Sequence, residues 1–366
     1  MVKATIFADN IEPDVLAQFN SAIEQDYSVK AALMPDAHLG YTLPIGAVVA
    51  TEGVVVPSWV GYDIGCGMLA MKTDMGKEEI IPFREKIFES VYRAVPTRFH
   101  HNKRDSEWDY SSVPMTPELK KIFAKSGLKQ IGSLGSGNHF IEISHDEKGS
   151  VWVVIHSGSR NVGHSVAARY MKLASGGKQA REGHFGLKVN TGQGEDYIVD
   201  MKFCLEFALE NRKQLLDRVL REIYYYVRNG DEPQKLELIN RTHNHAELKD
   251  GLWIHRKGAT HAEKGMKGVI PGNMRDGSFI VVGKGNPDSL NSSSHGAGRA
   301  MSRTKAKKAL NMEDFKKQME GVTSKVTGST LDEAPDAYKD IFGIMKLQKD
   351  LVDITHHLKP MINVKG

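Results

Sequence analysis

The sequence predicts an α+β fold in one large domain, on three observations. Short apolar segments of strand character recur along the chain, at residues 45–50, 151–155, 252–255 and 278–282. Helical stretches lie among them, the longest from 197 to 227. No repeat, low-complexity tract or composition shift marks a boundary, and the candidate site residues are spread from position 36 to position 299. A length of 366 residues would also fit two ordinary domains. The spread of the site residues therefore carries the argument for one domain over 1–366.

Composition narrows the class. Hydrophobic residues make up 40% of the chain and charged residues 26%, enough for a buried core and a soluble surface. No apolar run approaches the roughly 18 residues of a membrane span. The first eight residues pass at once into Asp9 and Asn10, unlike a signal peptide. The expected location is the cytoplasm, and two cysteines fit a reducing compartment. The net charge of +4 permits a nucleic-acid partner without requiring one.

Taken in order, residues 13–27 read as a helix, 34–40 as a turn-rich loop, and 45–50 and 54–57 as strands. Residues 78–94 read as a helix and 99–116 as a polar surface loop, where His100 and His101 are better explained by solvent than by a metal or RNA. A glycine loop at 133–137 passes into alternating residues, which puts Asn138, His139 and Glu142 at a loop-to-strand junction. The strand at 151–155 delivers His156, and 157–163 forms a tight polar loop suited to a phosphate. The 197–227 helix has an apolar stripe, with Arg212, Lys213, Arg218 and Arg221 expected on its wet face. After a polar turn at 230–233, His243 and His245 would share a face if extended and could approach one site. A basic turn at 256–259, a turn at 271–274 and a basic helix at 298–310 follow.

The chemistry concentrates in a few side chains. Cys204 lies in an apolar helical stretch and reads as a buried small hydrophobe. Cys66 stands between two glycines, three residues after Asp63, where packing explains little, and reads as a ligand or nucleophile. Asp63, Cys66, His139, His156 and His243 suffice for one or two transition-metal ions; thiolate and imidazole favour zinc, cobalt, iron or manganese over magnesium. Two ions sharing a ligand could hold both oxygens of an in-line phosphoryl displacement. Glycines 135, 158, 285 and 298 could offer amides to phosphate, and Arg160, Arg256, Lys257, Arg299 and Arg303 could neutralise it. His295, set among glycines and basic residues, is a candidate nucleophile for phosphoryl or nucleotidyl transfer, or else a structural histidine.

Several uncommon blocks occur together: Pro35-Asp36-Ala37-His38-Leu39-Gly40, Asp63-Ile64-Gly65-Cys66-Gly67, Gly135-Ser136-Gly137-Asn138-His139-Phe140, His156-Ser157-Gly158-Ser159-Arg160, His243-Asn244, His255-Arg256-Lys257-Gly258, His295-Gly296-Ala297-Gly298-Arg299 and Val364-Lys365-Gly366. Over nearly its whole length the chain resembles the RtcB family of RNA-splicing ligases, as a short, divergent member. The resemblance implies a mixed or antiparallel sheet core flanked by helices. It implies joining of RNA 2′,3′-cyclic phosphate or 3′-phosphate ends to 5′-hydroxyl ends, with GTP and two manganese ions. It makes His295 the carrier of a covalent GMP, passed to the RNA 3′-phosphate before the 5′-hydroxyl attacks. Cys66 would bridge the ions, with Asp63 and His139 on one and His156 and His243 on the other. Asn138, Glu142, Asn273, Ser278, Ala297 and Lys365 would hold the nucleotide, and Arg160 would meet an RNA phosphate.

Two blocks depart from the family's usual pattern. Tyr41-Thr42 replaces Lys-Gly after His38-Leu39-Gly40, and Pro271-Gly272-Asn273-Met274-Arg275 replaces Pro-Gly-Ser-Met-Gly. Two other functions compete. A metal-dependent RNA cyclic phosphodiesterase without ligation would act independently of GTP and His295. A non-enzymatic RNA-binding platform would tolerate loss of Cys66 and His295. A monomer is expected. The natural RNA and the need for an activating protein are left open.

Overall fold

Valine- and isoleucine-rich segments pair into two main sheets, as β-branched side chains favour. The computed structural model describes residues 2–231 and 234–366. The turn expected at 230–233 therefore falls partly outside the described residues, at Glu232 and Pro233.

The chain opens with β1 (Lys3–Ile6), α1 (Pro13–Ile23), β2 (Ser28–His38), β3 (Ile45–Thr51), β4 (Val54–Val55) and α2 (Pro57–Val60). Next come β5 (Gly67–Gly76), α3 (Lys77–Ile80), α4 (Arg84–Ala94), α5 (Pro117–Gln130), β6 (Phe140–His145) and β7 (Ser150–Ser157). α6 (Arg160–Ala174), β8 (Leu187–Lys188) and the long α7 (Gly192–Val227) follow. A run of strands comes after: β9 (Lys235–Thr242), β10 (Asn244–Lys249), β11 (Leu252–Lys257), β12 (Ala259–His261), β13 (Lys267–Pro271), β14 (Ser278–Gly283) and β15 (Ser292–Ser294). The C-terminal part holds α8 (Arg303–Ala309), α9 (Met312–Gln318), β16 (Thr323–Ser324), α10 (Ile341–Leu347) and β17 (Val352–Lys365).

The larger sheet runs β13-β14-β17-β6-β7-β5-β9, antiparallel throughout, with short β16 parallel to β17. Its two ends approach each other: on β9, Arg241 Nε donates to Lys267 O of β13, and Lys267 Nζ pairs with Glu237 at 2.8 Å. The sheet thus curls almost into a barrel. The smaller sheet runs β1-β2-β3-β11-β10, parallel only at β1/β2. The α+β expectation, with a mixed sheet core and flanking helices, holds.

Strand alternation sorts the barrel's two faces. Leu69, Met71, Ile141, Ile143, Val153 and Ile155 point outward onto Leu215, Val219 and Ile223 of α7 and Ile87 and Val91 of α4. Met68, Ala70, Phe140, Trp152, Val154, Ile239 and Ile280 fill the interior. Glu142 and His156 are in phase with this inner set and so face inward at one end of the barrel. On β17 a register shift between Pro360 and Ile362 resets the phase: Ile362 and Val364 join the outer core, while Asn363 and Lys365 lie opposite Glu142 and Phe140.

Some elements differ from the expectation. Residues 34–38 continue β2 rather than forming a loop, because β3 pairs with both ends of the segment; the register jumps between Leu33 and His38, which accommodates Pro35 without an N–H. Helix 78–94 is interrupted at Pro82, α1 stops at Ile23, and only 303–309 of the 298–310 segment is helical, after a Ser302 cap. The sequence reading missed α5 and α6. The start of α5 carries a clear signal, Thr116 accepting from the Leu119 N–H with Pro117 in the first turn. No helix among the described residues is long and apolar enough to cross a membrane.

Candidate metal centre and nucleotide cavity

Five donors expected from sequence converge at the barrel mouth. Cys66 precedes β5, His139 precedes β6, His156 ends β7, and His243 sits between β9 and β10. Among the described residues, Asp63, Cys66 and His139 form one group with ligand geometry, and Cys66, His156 and His243 form a second. The sulfur belongs to both.

The outer ring nitrogens explain why these groups suit cations. His139 Nδ1–H donates to Leu134 O at 2.9 Å, so its Nε2 lone pair faces Asp63 Oδ2 at 3.0 Å and Cys66 Sγ at 3.4 Å. His156 Nδ1–H donates to Asn138 O at 3.1 Å, and its Nε2 faces Cys66 Sγ at 3.2 Å and His243 Nε2 at 3.3 Å. Backbone carbonyls thereby set tautomer and ring orientation, as outer partners of metal ligands do. Burial, then neighbouring His139, keeps His156 neutral; burial and then His295 do the same for His243. Burial and Asp63 push the Cys66 thiol up, so its thiolate needs a cation beside it. The donor set thus fits two transition-metal ions.

Two features brace these ligands. A Cβ at Gly158 would lie 2.1 Å from Asp63 Oδ1, so glycine alone lets the carboxylate sit there. Behind Cys66, Arg212 is fully buried, donating to Gly65 O at 2.9 Å and Ser157 O at 2.7 Å. Arg212 was expected on a wet helix face. It turns inward because the Gly65 and Ser157 carbonyls accept from Nη1 and Asn240 Oδ1 accepts from Nε, although Nη2 is left buried without a partner.

His295 stands beside the second group, its ring 4.8 Å from that of His243 at 71°. Its Nδ1–H donates to Asp36 Oδ2 at 2.6 Å, and the backbone N–H groups of His295 and Gly296 reach the same oxygen. The ring therefore has Nε2 free. Its neighbour His38, 6.4 Å away between centroids, is pushed down to about 4 by burial and is neutral.

A cavity of about 280 Å³ opens from His295 into the barrel end. Asn138, Glu142, Asn273, Ser278, Ala297 and Lys365 all line it. Glu142 is the buried focus: Ser144 Oγ (2.8 Å) and Ser278 Oγ (3.3 Å) donate to Oε1, and Asn363 Nδ2 (3.1 Å) donates to Oε2. Burial outweighs these bonds and raises its carboxyl to about 7. Lys365 lies over the Phe140 ring and pairs with Glu333 at 2.8 Å. The buried Asn363 Oδ1 has no partner, which leaves an acceptor beside Glu142 for a ring carrying N–H donors. Asn363, Glu333 and Tyr338 were missed by the sequence reading; the β17 alternation ending at Lys365 was the available signal for Asn363.

Several candidates, inside the cavity and outside it, already have partners of their own. Asn273 closes its own turn, accepting from the Arg275 and Asp276 N–H groups and donating to Asp276. The Ala297 N–H donates to Pro271 O. Gly285 packs on Lys264, away from the cavity. His245 does not join His243, since the chain crosses from one sheet to the other between them. It groups with Glu247 and His261, and there the buried Arg256 Nη1 donates to both His245 and Glu247 and serves as the local cation. Lys257 is buried against Ser58 O. Arg299 and Arg303 do border the cavity, paired with Glu333.

The family model described as tRNA-splicing ligase RtcB matches residues 19–122 and 111–366. The chain belongs to the RtcB family. The RNA-splicing ligase RtcB of Escherichia coli K12 is 34% identical over 388 aligned residues, covering 97% of this chain and 95% of that protein. The tRNA-splicing ligase RtcB of Archaeoglobus fulgidus is 31% identical, covering 94% and 88%. That of Methanococcus maripaludis is 29% identical, covering 98% and 92%. This RtcB-family chain is thus matched along nearly all of its length, including every block that carries a candidate ligand or His295.

Proposed function

We propose that the protein is a GTP- and manganese-dependent RNA ligase, its whole chain one catalytic domain acting as a cytoplasmic monomer. It joins 2′,3′-cyclic phosphate or 3′-phosphate ends to 5′-hydroxyl ends. The observation that carries the reading is His295, with Nδ1 tied to Asp36 at 2.6 Å and Nε2 free, between a two-group metal donor set and a buried cavity.

The steps follow from the free nitrogen. Nε2 attacks the α-phosphorus of GTP; an N–P bond forms, the bond to the bridging oxygen breaks, and pyrophosphate leaves. Asp36 holds the Nδ1 proton and steadies the charge on the ring. A cyclic end is opened beforehand by water, whose oxygen bonds to phosphorus as the P–O2′ bond breaks and the 2′-oxygen takes up a proton, leaving a 3′-phosphate. An oxygen of that phosphate attacks the GMP phosphorus, and the N–P electron pair returns to Nε2. The 5′-hydroxyl oxygen then attacks the activated 3′-phosphorus, loses its proton, and GMP leaves. Glu142 and Asn363 Oδ1 offer acceptors for the N–H edge of guanine, and Lys365, Arg299 and Arg303 supply positive charge at the cavity wall. Manganese ions held by Asp63, Cys66, His139, His156 and His243 would supply Lewis-acid charge to phosphate oxygens. The relatives' names as RNA-splicing and tRNA-splicing ligases support the substrate class.

Intact-protein mass after incubation with GTP and manganese tests the reading. A GMP-sized adduct on the parent and none on His295→Ala is expected. A metal-loaded parent without adduct that still opens a cyclic phosphate would instead make the protein a phosphodiesterase.

A further inference from the structure

On the far side of Asn138 from the nucleotide cavity, a second depression of about 510 Å³ opens at Asp63 and His139. Among the described residues its only lining carboxylate is Asp63, which belongs to the candidate metal group, whereas Arg98 and Arg160 bring two guanidinium groups. That balance favours a polyanion. Arg160 is held in a left-handed conformation (φ 57°) at the start of α6, which directs its side chain across the cleft.

Aromatic rings border the cleft as well. Phe99 is 94% exposed, more than any other large hydrophobic side chain among the described residues. Tyr62 and His164 stack on each other, centroids 4.7 Å apart at 22°, and both line the cleft. His100 and His101 continue the edge beside Phe99.

The loop that carries Phe99 is tied down. Thr97 bridges to Gly135, the Arg98 N–H donates to Gly135 O at 2.5 Å, and Arg160 Nη2 donates to Arg98 O at 2.5 Å. Three residues on, Asn102 Nδ2 reaches Lys129 O and Ile131 O, and Arg218 Nη1 donates to Asn102 Oδ1 at 2.7 Å. A phenyl ring held in water by a loop fixed at both ends, beside cations and above a metal centre, is the arrangement that single-strand binders use: cations track the backbone and flat rings stack the bases.

We propose that Phe99, with the Tyr62–His164 pair, is a stacking platform for unpaired bases of the RNA end that enters the metal centre, so that the protein prefers single-stranded ends to helical ones. This rests on the RNA-ligase reading for its substrate, but its test does not depend on ligation.

Short single-stranded RNAs carrying 2-aminopurine near a 5′-hydroxyl or a 3′-phosphate end are titrated into the manganese-loaded full chain, following anisotropy and fluorescence quenching. The parent should bind and quench at least one of the two ends. Phe99→Ala should lose the quench and weaken binding of that end about 5- to 150-fold, the span of one base–aromatic stack. Phe99→Trp should restore both, and a blunt duplex end should bind parent and Phe99→Ala alike. Equal affinity of parent and Phe99→Ala for unpaired ends, or parent binding without quench, overturns the platform. The GMP adduct is measured in parallel. Quenching by a parent that forms no adduct would retain the platform and defeat the ligase reading, and an adduct without quenching would do the reverse.

Discussion

The two depressions that meet at Asn138 are built by opposite means. The cavity beside His295 is a product of strand register: Glu142, His156, Ser278, Asn363 and Lys365 reach it as inward positions of β6, β7, β14 and β17. A one-residue slip would turn every one of them outward, and the outer core of Ile141, Ile143, Ile155 and Val364 against the helices forbids it. The outer edge of the cleft is made of loop residues 98–101 and the first turn of α6, tied down by side-chain-to-backbone bonds. Those cavity groups sit on the strands, and the metal donors and His295 sit on or within a few residues of strand ends. Groups that could meet a variable polymer sit on the loops, where side chains stay free.

The comparison breaks most sharply at Cys66. Cys66→Ala removes the donor common to both groups, so metal analysis should find both sites depleted and ligation should fall by more than about 10³-fold. Phe99→Ala should leave metal content unchanged. Retention of both ions by Cys66→Ala would show that the sulfur is not shared.

Next in size is Asp36→Asn. The amide can keep the contact but presents no full negative charge to the Nδ1 proton. GMP-adduct formation should slow by about 10²- to 10⁴-fold in single-turnover mass measurements, with GTP affinity little changed. A comparable loss of affinity would mean that Asp36 shapes the cavity rather than orienting His295.

These contrasts also mark what was legible in the sequence. His139 could be placed because a glycine loop leads directly to it, and His156 because a short apolar strand ends at it and the strand period fixes its side. Asp63 and Cys66 were visible because a thiol between glycines has little packing role. The β2 segment at 34–38 was not legible, since its proline-containing turn signals are overruled by pairing with β3 at both ends. Arg212 and His245 were misplaced for a common reason. Helical and extended periodicity say which residues share a face, but not that two carbonyls lie waiting for Arg212, or that the chain changes sheets after His243. Phe99 carried no signal at all, because exposure of a loop side chain is set by what the rest of the fold leaves uncovered.

Gly158→Ala sharpens the metal side by a smaller step. The added methyl must displace Asp63 from one group while leaving the other group's His156 and His243 in place. Manganese affinity at one site should drop about 10- to 100-fold, the other staying near its parent value in a two-site titration. Equal weakening of both would indicate that the strand end itself had moved.

The smallest effect is one of pH, and it separates the cavity from the cleft without any change in the cleft. Burial raises the Glu142 carboxyl from 4.5 to about 7, so between those values the folded protein holds a proton that the unfolded chain has released. At this group the unfolded state binds fewer protons, and its contribution to stability falls as pH rises through the window, by about 1–3 kcal/mol in all. The nucleotide reverses the sign: a guanine edge donates N–H groups and favours the ionised carboxylate, so affinity should rise towards neutral pH, approaching about tenfold per unit well below 7. Burial would also raise Glu333, but Lys365 and Arg303 hold it at about 2, outside the window. Buried histidines held neutral, His38, His156 and His243 among them, add an opposite slope below about pH 6.5, so the Glu142 contribution is read as a difference in which they cancel. From pH 5.5 to 8 the stability of His295→Ala in thermal melts, relative to the same variant carrying Glu142→Gln, should fall, while its GTP affinity in titrations, relative to that double variant, should rise. Differences that stay flat, or that run in the same direction, would place the titrating group elsewhere, whereas RNA-end binding at the cleft should be indifferent to Glu142 throughout.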